Sequence, residues 1–436
     1  MDDEAIVAAF VETRQQSVTI CAPLLPEDYS LQAAAFASPP KWHLAHTSWF
    51  FETFILKPFA SGYESPQPLY EVLFNSYYNG IGAQHPRDQR GLLSRPPLED
   101  VLAYREFVDA AVLALAAAAS DTARKTIHER MLLGIEHERQ HQELFFTDFK
   151  YSLSANPLYP EYLSQALSTS VTAPPLRWLR DEGGLITIGH SGQGFCFDNE
   201  LPRHRYFVEP FEFASRLVSN GEFQAFVDDG GYQRPELWLA DGWAIAVAEG
   251  WTAPLHWLNR DGEQREFTLY GLQPRDAARP LCHVSGYEAE AYAQWAGARL
   301  PTEQEWEKVA VDQPDSLGGM DDGHYHPRVA ADDKGVSQLY GECWQWTRSA
   351  YTPYPGYKPS PGAIGEYNGK FMSNQWVLRG GSCVTKSSQA RPSYRNFFYP
   401  QDRWQFSGIR LARTETERQT NERTSVAQER QGGVQE

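Results

Sequence analysis

Apolar residues recur at helical spacing through the first 165 positions of the chain and then lose that period. Residues 3–17 read as an amphipathic opening helix. Ser38-Pro39-Pro40 offers an N-cap with proline near the first helical position, ahead of the apolar-rich KWHLAHTSWFFETFIL. Segments 98–119 and 122–153 give two more long helices, reached by a long connection over about residues 58–97. Four such helices predict an up-down bundle over residues 1–165. Past Pro157 the texture becomes short strand-like pieces, frequent glycine and Trp-rich loops, with two evident helices at 219–228 and 286–296. That pattern predicts a second, α+β domain over 178–413, after a linker at 166–177. Residues 414–436 are polar, lack aromatics and are expected to be a disordered tail.

The 436 residues suffice for two sizeable cores. Lys and Arg total 39 against 56 Asp and Glu, a formal charge of −17 with no basic tract. Such a chain is poorly suited to nucleic acid or an anionic membrane surface. The acidic N-terminus has no signal-peptide character, and the longest apolar run, Ala110 to Ala119, is far short of the ~20 residues that span a bilayer. Five scattered cysteines without a C-x-x-C pair form neither a disulfide framework nor a structural zinc site, which makes the cytoplasm the expected compartment.

Candidate chemistry concentrates in IEHERQHQELFFTDF, residues 135–149. His137-Glu138-Arg139-Gln140-His141 matches the H-E-x-x-H of zinc metalloproteases, and residues i and i+4 share one helix face. An isolated pair of this kind is as often two ordinary helix histidines as a metal site. The longer metzincin pattern is excluded, because no glycine stands three residues after His141. Upstream, His43-Leu44-Ala45-His46 supplies two candidates for a third ligand. His46 precedes Trp49, Phe50 and Phe54 on an apolar stripe, where an unpartnered imidazole would be costly. Three neutral imidazoles without thiolate suit zinc, iron or copper alike. Gln140 shares the face of His137, whereas Glu138 is turned about 100° away. A peptidase needs that glutamate facing the ion, so Glu138 is expected to have a structural task.

LAH in an early helix and EHERQH in a later one precede a domain containing five ordered motifs. These are FDNELPRHRYFVEPFEFASRLVSNGEFQAFVDDGGY (197–232), RLPTEQEWEKVA (299–310), GECWQWT (341–347), RGGSC (379–383) and GIRLAR (408–413). The combination resembles the iron(II)-dependent sulfoxide synthases of ergothioneine biosynthesis, over roughly residues 5–413. The resemblance implies a DinB-like four-helix bundle followed by a C-type-lectin-like domain of the formylglycine-generating-enzyme type. It implies Fe(II) held by His46, His137 and His141, and oxidative C–S bond formation with O2 between a thiol and imidazole carbon 2 of hercynine. NSYYNGIGAQHPRDQR resembles the subgroup with active-site tyrosines in the bundle connection, here Tyr77 and Tyr78. Arg87 and Arg90 would clamp the carboxylate of cysteine or, as the second choice, γ-glutamylcysteine. Asn396, Phe397 and Phe398 would meet the betaine, and Gln140 or Asn396 would orient the imidazole. Where formylglycine-generating enzymes place two copper-binding cysteines, this chain has Thr385 and Ala390. The alternatives are an ovothiol-type synthase acting on histidine itself, a DinB-like metal-dependent thiol transferase, and a non-catalytic binding protein.

Overall fold

A computed structural model describes residues 3–168, 172–313, 318–331 and 334–414. Helices α1 (Asp3–Cys21), α2 (Pro40–Phe51), α3 (Leu98–Ala118) and α4 (Asp121–Ser154) form the N-terminal bundle. Every residue of α2 is buried, and the helix continues through a π turn at Glu52–Leu56. Phe51 packs on α4 where Gly134 stands, and a Cβ at that position would lie 2.4 Å from the Phe51 ring. The expected cap of α2 moves by one residue: Pro39 is the N-cap and makes no side-chain cap bond. Ser38 is engaged elsewhere, its N–H donating to Asp148 (2.8 Å) and its hydroxyl accepting from Arg90 (2.9 Å). The long connection carries a single helical turn at Tyr70–Leu73 and a 3-10 turn at Arg87–Leu92.

A buried ion cluster ties three of the bundle helices together. Glu138 of α4 accepts from Arg14 Nη1 of α1 (2.8 Å), Arg105 Nη2 of α3 (2.9 Å) and Ser17 Oγ (2.6 Å). This is the structural task expected of Glu138, since two guanidinium groups offset the cost of burying its charge.

The second domain is built from small sheets. Strands Asn396–Phe398, Trp376–Arg379 and Trp344–Ala350 pair antiparallel, and Ser407–Gly408 adds a parallel edge. Trp178–Asp181 and Ala412–Thr414 flank Phe211–Ala214, so the beginning and end of the domain meet in one sheet. Thr414 still pairs with Phe211, one residue beyond the expected boundary, and the rest of the expected tail lies outside the described residues. The two helices read from the sequence are present as Asn220–Asp228 and Gly286–Trp295. Ala240–Ala248 and Glu303–Val311 were not anticipated. Each has nine residues, too few for periodicity to stand out among Trp-rich loops. The signal for the second was a capping box, Thr302 with Glu305, inside RLPTEQEWEKVA.

Helix α4 also serves the second domain. Buried Glu143 accepts from Trp344 Nε1 (2.8 Å), Gln405 Nε2 (2.8 Å) and Thr385 Oγ1 (2.5 Å). Lys150 lies 2.7 Å from His283 Nε2. One helix therefore carries the histidine pair and the contacts that set the second domain over it. No helix among the described residues is long and apolar enough to cross a membrane.

Candidate metal centre and substrate cavity

Helices α2 and α4 bring His46, His137 and His141 together, with one ring nitrogen from each inside a mutual distance of 4.8 Å. His46 Nε2 and His137 Nε2 are 3.2 Å apart. His46 Nδ1 donates to the Phe74 carbonyl (2.6 Å), which leaves Nε2 a bare lone pair turned toward the cluster. Rings stack on the group from the bundle side: Trp42 on His46 at 4.6 Å and Phe50 on His137 at 4.3 Å. Burial lowers all three histidine pKa values, with His137 also lowering His46 and His141; His137 falls to about 3. The rings are thus neutral at ordinary pH. In the tautomers that turn all three lone pairs inward those lone pairs repel one another, and a cation placed among them removes that repulsion. The donor set fits a divalent metal.

A cavity of about 310 Å³ opens on this cluster, between the bundle and the second domain. His137, Gln140 and His141 form its floor, and Tyr77, Arg87 and Arg90 of the connection line one wall. Tyr367, Tyr394, Asn396, Phe397 and Phe398 of the second domain line another. Gln140 is held at both ends of its amide: Nε2 donates to Tyr394 Oη (2.7 Å) and Oε1 accepts from the Tyr367 hydroxyl. A cavity-facing amide thus has its orientation set before any ligand arrives.

Residues 9–145 match the DinB superfamily, and residues 178–327 and 322–415 match the sulfatase-modifying factor enzyme 1-like domain. The hercynine oxygenase of Mycolicibacterium smegmatis is 33% identical, the match covering 86% of this chain and 91% of that protein. The hercynine oxygenase of Mycobacterium tuberculosis is 30% identical with the same coverage. This chain belongs to the hercynine oxygenase family. It is an oxidoreductase with a DinB-like bundle and a formylglycine-generating-enzyme-like domain. The formylglycine-generating enzyme of Streptomyces coelicolor is 28% identical over 48% of this chain and 79% of its own length.

In this member of the hercynine oxygenase family the two expected tyrosines part company. Tyr77 lines the cavity, its hydroxyl 3.5 Å from the Tyr367 carbonyl. Tyr78 stacks behind it at 4.6 Å, buried against Trp49, Phe50 and Phe54, and is not among the lining residues. The arginines also differ. Arg87 is exposed, whereas Arg90 is buried with its guanidinium 3.4 Å from the centre of the Trp42 ring. Burial, and then Arg87, lowers the Arg90 pKa to about 8, and Arg90 Nε has no hydrogen-bond partner among the described residues. An anion entering the cavity would relieve both.

Asn396 lies at the cavity with its side-chain oxygen accepting from Phe397 N–H (2.9 Å). Phe397 stacks on Tyr351 at 4.1 Å, so its ring serves the domain core as well as the cavity wall. Thr385, at one of the two positions without copper-binding cysteine, spends its hydroxyl on Glu143 and so helps join the domains. Sequence reading missed Tyr367 and Tyr394. Tyr394 lies two residues before Asn396 and was within reach of that motif, whereas nothing in GEYNGKF points Tyr367 at residue 140.

Proposed function

We propose that this chain is a non-haem iron(II)- and O2-dependent sulfoxide synthase that joins the sulfur of cysteine to imidazole carbon 2 of hercynine. The overall balance is thiol plus hercynine plus O2 giving the S-linked sulfoxide plus water. The observation that carries this reading is the three-imidazole cluster facing a cavity lined by Arg87, Arg90 and Arg395 and by aromatic rings. His46, His137 and His141 would hold the iron, which supplies the redox chemistry with oxygen and leaves room for thiolate and imidazole.

The remaining tasks fall to side chains. Arg90, with Arg87 at the rim, binds the amino-acid carboxylate of the thiol. Gln140, fixed by Tyr367 and Tyr394, presents its amide toward the hercynine ring. Asn396 lies beside it, and the faces of Phe397 and Phe398 attract the trimethylammonium group. Burial raises the Tyr77 pKa, so its phenol stays protonated and can deliver a proton at the reacting sulfur–oxygen centre. Two domains closing over the cavity exclude water.

Anaerobically purified protein, with its metal content measured, is given hercynine, O2 and either cysteine or γ-glutamylcysteine, and products are read by mass. A sulfoxide adduct with cysteine is expected. No adduct from either thiol, in protein that holds iron, would sink the proposal, and histidine as competitor separates it from an ovothiol-type reaction. Stoichiometric zinc in place of iron would revive a hydrolytic reading of H-E-x-x-H.

A further inference from the structure

His43 stands one turn before His46 on α2 and is almost fully buried, yet the proposed function gives it no task. Its Nδ1 is 2.9 Å from Nδ1 of His141, and its Nε2 is 3.3 Å from Oδ2 of Asp148. Asp148 lies seven residues after His141, two turns along the same face of α4, and is itself buried. The Ser38 N–H donates to the same carboxylate oxygen at 2.8 Å. Among the described ion pairs Asp148 has His43 as its partner, so no lysine or arginine takes up its charge by direct contact.

With His141 binding the metal through Nε2, these contacts admit one placement of hydrogens. A carboxylate only accepts, so His43 carries its hydrogen on Nε2. His141 then carries its hydrogen on Nδ1 and donates it to His43 Nδ1, which accepts through its lone pair. That leaves Nε2 of His141 bare. His46 reaches the same tautomer by another route, through the Phe74 carbonyl. His137 Nδ1, in contrast, has no hydrogen-bond partner among the described residues.

We infer that Asp148 and His43 form a positioning pair that fixes the tautomer and ring orientation of His141 and strengthens it as a metal ligand. The inference rests on the reading that His46, His137 and His141 hold a metal. A carboxylate acting through an imidazole raises the basicity of the ligand beyond it, and losing such a partner typically costs 10–100-fold in metal affinity. Asp148 also shares Ser38 with Arg90, so the proposed thiol-binding wall and the His141 support are built on one residue.

The test measures Fe(II) affinity of the full chain, without oxygen or substrates, by competition with a chelator. In His43→Asn the side-chain oxygen occupies the place of Nδ1 and still accepts from His141; in His43→Leu nothing accepts. His43→Leu is expected to bind iron about 10–100-fold more weakly. His43→Asn keeps the acceptor for His141 but loses the link to Asp148, so it and Asp148→Asn are both expected to fall between wild type and His43→Leu. Thermal unfolding of the metal-free proteins checks that each variant is folded, and should His43→Leu not fold, Asp148→Asn against wild type carries the comparison.

Unchanged affinity in both His43→Leu and Asp148→Asn overturns the inference. So does a His43→Asn protein as weak as His43→Leu, or a loss in both as complete as in His46→Ala, which would make His43 a ligand. Wild-type protein that binds no iron would instead overturn the reading on which the inference rests.

Discussion

On the side of α4 facing α1 and α3, Glu138 has both carboxylate oxygens bonded, with Arg14, Arg105 and Ser17 closing around it. On the side facing the cavity, His137 Nδ1 has no partner among the described residues and ring nitrogens of His46, His137 and His141 converge. Across the cavity Arg90 Nε is equally unpartnered. Both faces are buried and rich in ionisable groups, so burial does not distinguish structure from chemistry here. Saturation separates them at these residues: Glu138 is fully bonded within the fold, whereas His137 Nδ1 and Arg90 Nε have no partner among the described residues.

That contrast breaks if a change on the saturated face alters chemistry, or a change on the open face alters stability. The largest expected effect is on the saturated side. Glu138→Ala leaves two buried guanidinium groups without their carboxylate and should cost about 3–5 kcal/mol in chemical denaturation. The fraction that remains folded should still turn over.

The same carboxylate sets an acid limit. Although burial alone would raise its pKa, Arg14 and Arg105 hold it down at about 2. A folded pKa below the unfolded value means that the stabilisation is complete above about 4.5 and fades as pH falls toward 2. A denaturation series across that window should show a larger loss in wild type than in Glu138→Gln, where Glu222 and Glu303 still titrate.

Next comes Tyr77→Phe, on the open side. It should lower sulfoxide formation by about 10²-fold, the lower end of what a positioned proton donor contributes, with unchanged unfolding. Tyr78→Phe, behind the wall, should do much less; equal losses would place both phenols in the reaction. Smallest is Arg90→Lys, which keeps a charge but loses the fork. A KM for the thiol raised about tenfold at near-constant kcat is expected, from the loss of roughly 1.5 kcal/mol of charge-assisted bonding. An unchanged KM would remove Arg90 from thiol binding.

The histidine pair was legible because i and i+4 must share a helix face, and His46 because a polar ring on an apolar stripe demands a partner. Glu138 was legible as structural by its rotation away from that face. Tyr367 was not, because its hydroxyl meets Gln140 across 227 residues of chain, and no local pattern encodes such a meeting. Tyr77 and Tyr78 looked equivalent as neighbours; only the packing of Trp49, Phe50 and Phe54 around Tyr78 separates them. His43 was one of two readings of HLAH, and its link to Asp148 depends on how α2 docks against α4.

By itself, then, the sequence determined the two-part architecture, the helices that carry the histidines and the face on which they lie, since all of these follow from periodicity and short-range spacing. The tertiary structure decided which tyrosine reaches the cavity, how Gln140 is held and which arginine is buried. It also decided what stands beside His141. Those features depend on where separate segments dock, which core packing and long-range hydrogen bonds settle and local spacing does not.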